Sequence, residues 1–309
     1  MNGVRLSERF FRIHGDRMIK SKFPRLQSRI AVGLVGEGSE CFGLDDQVSM
    51  DNHRGAGFCI WLDSDDYAAI GPALQAEYER LPKKFENFDR PESSEKSGVG
   101  VFEIGEFYRR FIGLTCVPND LLKWFYIPEP NLAACTNGKI FYDPPGRFSA
   151  IRQGLLAFFP EQVRLAKMAL RCAAAHICQY NYPRLLKQHQ PLDAEYAARK
   201  YASEIIALVF LINRRFRPSY QLSQRTIRSL PIKGDFFYSS INEMDAEPHL
   251  GKKMDLMEKM SSSVIGTLQW LQLSTIKSDC LLDHANTIAE KIAEPRMRER
   301  VNIFSGLKG

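Results

Sequence analysis

A Gly38-Ser39 pair, eleven intervening residues and then Asp51-Asn52-His53 stand between two apolar runs, Ile30 to Val35 and Phe58 to Leu62. Gly38 has no Cβ, so its backbone can approach a phosphate closely. Ser39 can offer a hydroxyl and an N–H to phosphate oxygens, and Asp51, at the head of the second run, is a hard oxygen ligand suited to Mg2+. Strand alternation puts residue 53 on the same face as Asp51. His53 therefore stands where a second carboxylate would complete the metal site, and an imidazole suits Mn2+ or zinc better than Mg2+. Between Glu37 and Asp66 there are eight acids and one base, Arg54. So one-sided a run repels itself unless cations or solvent neutralise it. The chemistry this pattern fits is the holding of a nucleoside triphosphate and its metal while a nucleophile attacks the α-phosphorus in line, where the protein's work is chiefly positioning. The same residues also read as a glycine turn followed by an acidic, solvated loop.

Three further places carry chemistry-bearing side chains. Asp143 follows a short apolar run and is expected as a third metal ligand or as the base that takes the proton from an attacking hydroxyl; the alternative is a turn acid or helix cap ahead of Pro144-Pro145-Gly146. The run Gln179-Tyr180-Asn181-Tyr182-Pro183-Arg184 lines a cleft or simply ends a helix. Arg214, Arg215 and Arg217 follow an apolar helix and are candidates to receive phosphates, or form a solvated helix C-terminus. Arg184 and Arg214 are the expected contacts to the nucleotide from this part of the chain.

The elements that must position these residues follow from hydrophobic periodicity. Leu6 to about Ser21 reads as an amphipathic helix with Ser7 at its N-cap, weakened by Gly15 and Asp16. Arg29 to Gly36 and Gly57 to Leu62 read as buried strands. Asp63 to about Leu81 reads as a helix opened by acids, the polar stretch Arg90 to Gly98 as a loop, Val99 to Ile104 as a strand, Glu106 to Ile112 as the start of a helix and Lys139 to Tyr142 as a last short strand. From Phe148 onward the period changes to 3.6, with helices expected over Phe148–Phe159, Glu161–Tyr180, Asp193–Phe216, Leu250–Leu273 and His284–Phe304. The expectation is an α+β chain: a mixed-sheet domain over 1–147 and an all-α bundle over 148–309.

Composition bounds the partners. The chain has 309 residues, 44% hydrophobic and 25% charged, which is ordinary for a globular protein. Its longest apolar run, Ile205 to Ile212, is far short of the ~18 residues of a membrane span. The N-terminus lacks the apolar core of a secretory signal, so a cytoplasmic protein with no membrane partner is expected. Seven scattered cysteines with no Cys-x-x-Cys pair argue against a disulfide framework or zinc knuckle and are read as buried thiols. Residues 1–150 carry a net charge of −2 and residues 151–309 a net of +8. That asymmetry fits a polyanion held beside a metal, yet no long basic run or aromatic-basic motif marks an RNA-binding module. An RNA-modifying transferase therefore ranks last.

The blocks Arg29 to Asp46 with Ser49 and Asp51, Gly55 with Gly57 to Leu62, Ile104 to Phe111, Asn137 to Pro144, Phe148 to Arg152, Gln179 to Tyr182 and Leu208 to Asn213 together resemble a bacterial family of nucleotidyltransferase-like proteins of unknown function. The resemblance covers about residues 5 to 235. It implies a fold similar to aminoglycoside-type nucleotidyltransferases, a mixed-sheet catalytic domain with a helical partner domain, and names no substrate. The family pattern has Glu at Gln47, Asp-His-Asp at Asp51-Asn52-His53 and Glu at Arg147, so this chain departs from it at three acids. The expected function is Mg2+- or Mn2+-dependent transfer of a nucleoside monophosphate from a triphosphate, ATP first, to a hydroxyl or amine of an unknown acceptor. The departures carry the alternative, an inactive relative that senses a nucleotide or binds a partner.

Overall fold

The computed structural model describes residues 2–44, 55–91 and 98–301. Within them the backbone forms two compact units, one of 1–118 with 127–157 and one of 119–126 with 158–309. The expected boundary at 147/148 falls instead at the start of a helix, Arg147–Leu156, that packs with the first unit.

The first unit opens with α1 (Gly3–Phe10), a π-helical turn over Phe11–Gly15 and α2 (Asp16–Lys22). Asn2, rather than Ser7, caps it: its Oδ1 accepts the Val4 N–H, and Ser7 is buried inside the helix. The extra residue in the π turn falls at the expected weak point, Gly15, where a Cβ would lie 2.6 Å from the Phe58 ring. Then come β1 (Ala31–Leu34), a 3-10 turn (Ser39–Phe42), β2 (Cys59–Leu62) and α3 (Ser64–Glu79). A short hairpin of β3 (Lys84–Phe85) and β4 (Phe88–Asp89) precedes β5 (Gly100–Glu103), α4 (Ile104–Ile112), α6 (Glu129–Thr136), β6 (Lys139–Tyr142) and α7 (Arg147–Leu156). The label α5 is given to Leu121–Tyr126, which belongs to the second unit. Neither α5 nor α6 was expected from periodicity.

The main sheet runs β5-β2-β1-β6 and is mixed. β1 pairs antiparallel with both β2 and β6, whereas β2 and β5 are parallel, which requires a crossover and explains why α3 lies between them in sequence. Both faces are covered, so β1 and β2 read as continuous apolar runs rather than alternating ones. On one face Ile60 and Leu62 pack with Phe10, Phe11, Phe58, Leu74 and Tyr78. On the other, Trp61 stacks on Phe148 at 3.9 Å between ring centroids and meets Phe107 edge-on. β1 and β6 approach so closely at Gly33 that a Cβ there would lie 2.6 Å from the Lys139 carbonyl oxygen. These features establish the α+β class from the chain itself.

The second unit is helical: α5 with α8 (Glu161–Lys187), α9 (Pro191–Ile212), α10 (Tyr220–Ile227), α11 (Gly234–Ala246), α12 (Leu250–Trp270), α13 (Leu281–Glu290) and α14 (Pro295–Val301). Three residues join α8 to α9, so the two run antiparallel. α9 is buried almost all round from Ile205 to Ile212, and both helices bury several alanines. That burial explains the chain's longest apolar run without a membrane, and no described helix is long and apolar enough to cross one. α10 and α11 were not expected. Pro295, fixed at the first turn of α14, divides what reads in sequence as one C-terminal helix.

Candidate site at the end of strand β1

The chain leaves β1 through Val35, Gly36, Glu37 and Gly38 and tightens at once into the Ser39–Phe42 turn. The Cys41 N–H bonds the Gly38 carbonyl at 2.9 Å and the Leu44 N–H bonds the Ser39 carbonyl at 3.0 Å. Gly43, at φ 70°, ends the turn in the left-handed region that favours glycine. The Ser39 hydroxyl makes no hydrogen bond with any described residue.

What fixes this turn comes from about a hundred residues later. Asn137 grips Gly36 at two points: its Oδ1 accepts the Gly36 N–H at 3.0 Å and its Nδ2 donates to the Gly36 carbonyl at 2.6 Å. Gly138 then donates to the Cys41 carbonyl at 3.0 Å. Gly138 holds φ 61°, and a Cβ there would lie 1.9 Å from the Leu34 carbonyl oxygen, so only glycine fits. Arg152 of α7 donates in turn to the Asn137 carbonyl at 3.0 Å and the Gly138 carbonyl at 3.4 Å; burial pulls its pKa down, against the pull of Tyr108 and Cys135. Asn137 and Arg152 are thus positioning residues that periodicity and motif spacing do not single out. The available signal was the Asn-Gly dipeptide opening a strand, a turn-forming pair.

The turn borders a cavity of about 50 Å³ walled by Gly36, Glu37, Gly38, Gly98, Val99 and Arg110, among others. Arg110, on α4, is exposed, lies over the Phe111 ring at 5.2 Å and has no carboxylate partner among the described residues. Its charge is felt by the neighbouring Cys59 thiol, which burial pushes up to about 12 despite the Val35 backbone and Arg110 acting the other way. A neutral, buried Cys59 that bonds the Gly98 carbonyl at 3.1 Å holds a residue of the wall in place and is no nucleophile. The cavity has the size for one oxyanion group rather than a whole nucleotide, and its lining brings together the Gly36 to Gly38 segment, Arg110 and two acidic residues, Glu37 and Glu40.

The residues expected at the site distribute as follows. Gly38 and Ser39 are at the turn. Asp51 and His53, with Gln47, lie outside the described residues. Asp143 is not brought to the turn: β6 runs antiparallel to β1, with Val32 opposite Tyr142 and Leu34 opposite Lys139, so Asp143 sits at the far end of β1, at least about 10 Å of strand away. Both its oxygens are engaged there, Oδ1 by the Gly146 N–H at 3.0 Å and Oδ2 by the Ser149 N–H at 2.8 Å, so it caps α7. Arg147 is at the same far end, ion-paired with Asp63.

Arg184 and Arg214 both belong to the second unit, and one phosphate cannot meet both. Arg214 donates to Glu161, at the first residue of α8, at 2.7 Å, while Arg184 lies over Tyr180 in the last turn of α8. The two are separated by about 35 Å of helix. Gln179 accepts from the Ser261 hydroxyl at 2.7 Å and Tyr182 is buried, so that run is helix packing more than cleft. Among the described residues no three His, Cys, Asp or Glu side chains form a metal site. Cys41, Cys59, Cys135 and Cys172 are buried as expected, Cys178 and Cys280 are half-buried, and Cys116 is exposed.

Residues 124–221, less than half of the chain, match a family described as a domain of unknown function (DUF4037). The matched stretch contains the blocks Asn137 to Pro144, Phe148 to Arg152, Gln179 to Tyr182 and Leu208 to Asn213 and excludes the Gly38-Ser39 turn. No curated protein matches the chain. Among solved structures, a nucleotidyltransferase-like protein from Exiguobacterium sibiricum 255-15 aligns over 94% of this chain and 89% of its own, at 12% identity and a TM-score of 0.41, a distant likeness.

Proposed function

We propose that the turn after β1 holds phosphates of a nucleoside triphosphate, ATP first, and that the protein transfers the nucleoside monophosphate to a hydroxyl or amine of an acceptor, on a fold of the aminoglycoside nucleotidyltransferase type. The observation that carries the reading is the cavity that the Gly36 to Gly38 segment and Arg110 line together. Close glycine backbone, a neighbouring hydroxyl and a cation, neither with a hydrogen-bonding or carboxylate partner among the described residues, are the groups that recognise a phosphate. Asp143 caps α7, and no three described His, Cys, Asp or Glu side chains gather into a metal site. The cation, Mg2+ or Mn2+, therefore falls to Asp51 with His53. In the transfer the acceptor oxygen or nitrogen bonds the α-phosphorus, the bond from that phosphorus to the bridging oxygen breaks, and pyrophosphate leaves, the acceptor's proton passing to solvent or a base.

A second reading, nucleotide binding without transfer, is favoured by the position of Asp143, which leaves the turn without the late carboxylate that would serve as base. One experiment separates the two. Equilibrium binding of a triphosphate that cannot be cleaved at the α,β position is measured with Mn2+, beside transfer of label from α-labelled ATP to mixed small-molecule acceptors. Saturable binding weakened by Arg110→Ala and Asp51→Ala, with transfer, supports the enzyme; the same binding without transfer supports the sensor. Absence of saturable binding overturns both.

A further inference from the structure

The second unit contains a cavity of about 330 Å³ between α9, α10, α11 and the start of α12, at the low end of the roughly 300–1,000 Å³ typical of small-molecule sites. Its walls follow from two stripes on α9. Glu195, Arg199 and Ser203 recur every four residues and form a polar stripe; Ala198, Ala202 and Ile206 recur likewise and form an apolar one beside it. Ile241 and Met244 of α11 complete the apolar floor.

The polar stripe is closed by opposite charges. Lys253 of α12 is buried, and its Nζ donates to Glu195 Oε1 at 2.7 Å. Arg217 donates to the carbonyl and hydroxyl oxygens of Ser203, both at 3.1 Å. Arg199 and Asp245 face each other at 3.9 Å, too far to hydrogen-bond, with side chains 75% and 64% exposed. The cavity thus presents a guanidinium and a carboxylate that attract one another but leave each other's hydrogen-bonding groups unused, beside an apolar floor.

We propose that this cavity binds a zwitterionic α-amino acid with an apolar side chain. The ligand's carboxylate accepts from Arg199, its ammonium donates to Asp245, and the side chain lies on Ala198, Ala202, Ile206, Ile241 and Met244. A simple anion would leave Asp245 facing like charge, and a simple amine would do the same at Arg199, so the paired signs select a ligand bearing both. The site stands on the second unit alone and does not depend on the nucleotide reading.

Calorimetric titration of the full chain with L-leucine and L-phenylalanine tests the proposal, with L-leucine methyl ester and N-acetyl-L-leucine as ligands lacking one charge each. Saturable binding of at least one amino acid is expected, weakened about tenfold or more by either modification and by Arg199→Ala or Asp245→Asn, since each removes a charge-assisted hydrogen bond. Both substituted residues are exposed, so the variants should melt with the parent, and a melting comparison confirms that they fold. No saturable binding up to about 10 mM, equal binding of the ester or the N-acetyl compound, or binding indifferent to both substitutions would overturn it.

Discussion

Replacing Asn137 tests whether the turn after β1 is held from β6. Asn137→Ala removes both hydrogen bonds to Gly36 and strands the N–H and C=O of a buried residue. A neutral hydrogen bond contributes about 1 kcal/mol net, and a buried polar group left unmatched costs about 1–3 kcal/mol. Partial hydration of the space the amide vacates offsets some of this, so the expected loss is about 2–3 kcal/mol. It is read as the shift in urea midpoint multiplied by an unchanged slope. Asn137→Asp is the sharper probe. The introduced carboxylate still accepts the Gly36 N–H but turns an oxygen toward the Gly36 carbonyl, where the amide donated. Protonation restores a donor, so the folded state raises that carboxyl's pKa above the ordinary ~3.9. The stability tied to the proton is then fully present below ~3.9 and is lost as pH rises through the raised value. The deficit against the parent should therefore shrink on acidification. An Asn137→Ala loss under about 0.5 kcal/mol, within the range of ordinary surface substitutions, or an Asn137→Asp deficit that ignores pH, would refute the clamp.

Ser39→Ala should leave the urea midpoint in place and weaken triphosphate binding roughly ten- to a hundredfold, the worth of one hydrogen bond to a charged group. Asp143→Ala should do the reverse, lowering stability by about 1–2 kcal/mol through the lost cap and leaving triphosphate affinity unchanged in the same titration. In the second unit, burial alone would raise the Glu204 carboxyl, but Arg171 and Lys200 reverse this and hold it below 4.5. Glu204→Ala, measured by urea unfolding, should cost about 2–3 kcal/mol, the lower end for a broken buried pair because both cations reach solvent. Glu204's contribution is complete above 4.5 and lost as pH falls through the depressed value. Burial lowers the His176 pKa despite the opposing pull of Asp283, so its share of stability is present above 6.5 and declines as pH falls below it. His176→Gln should flatten that part of the thermal stability profile.

The sequence made some features legible because they are local. β1 and β2 announced themselves as apolar runs since each is buried on both faces, and Gly38-Ser39 marked the turn between them. Helices α8, α9 and α12 carried enough turns for their period to be read. The short helices α5, α6 and α10 did not, since a few residues hold too few apolar repeats and their burial is set by neighbours; α11, at 13 residues, buries only Phe237, Ile241 and Met244 as apolar side chains. The clamp on the turn was out of reach for a different reason. Asn137 and Gly36 are 101 residues apart, and only the register of β6 against β1 joins them.

That register also explains why Asp143 looked catalytic and is not beside the turn. β2, β5 and β6 run in one direction and β1 in the other. Each of the three parallel-running strands feeds a helix at its C-terminal end, and each passes through an acid there: Asp63 accepts the Asp66 N–H at the start of α3, Glu103 accepts the Gly105 N–H at the start of α4, and Asp143 accepts the Gly146 and Ser149 N–H groups at the start of α7. A helix's first turn has unpaired N–H groups that favour a nearby carboxylate. An acid at a strand end is therefore what a strand-to-helix junction requires, whether or not chemistry happens there. β1 alone ends at the opposite edge of the sheet, feeding the Ser39–Phe42 turn that Gly38 and Gly43 flank. Three of the four strands end in capping acids, whereas the turn after β1 borders the cavity that Arg110 also lines, which concentrates ligand-binding capacity at β1. Function in this unit should therefore respond to changes at Gly38, Ser39 and Arg110 and be indifferent to the acids at the far edge.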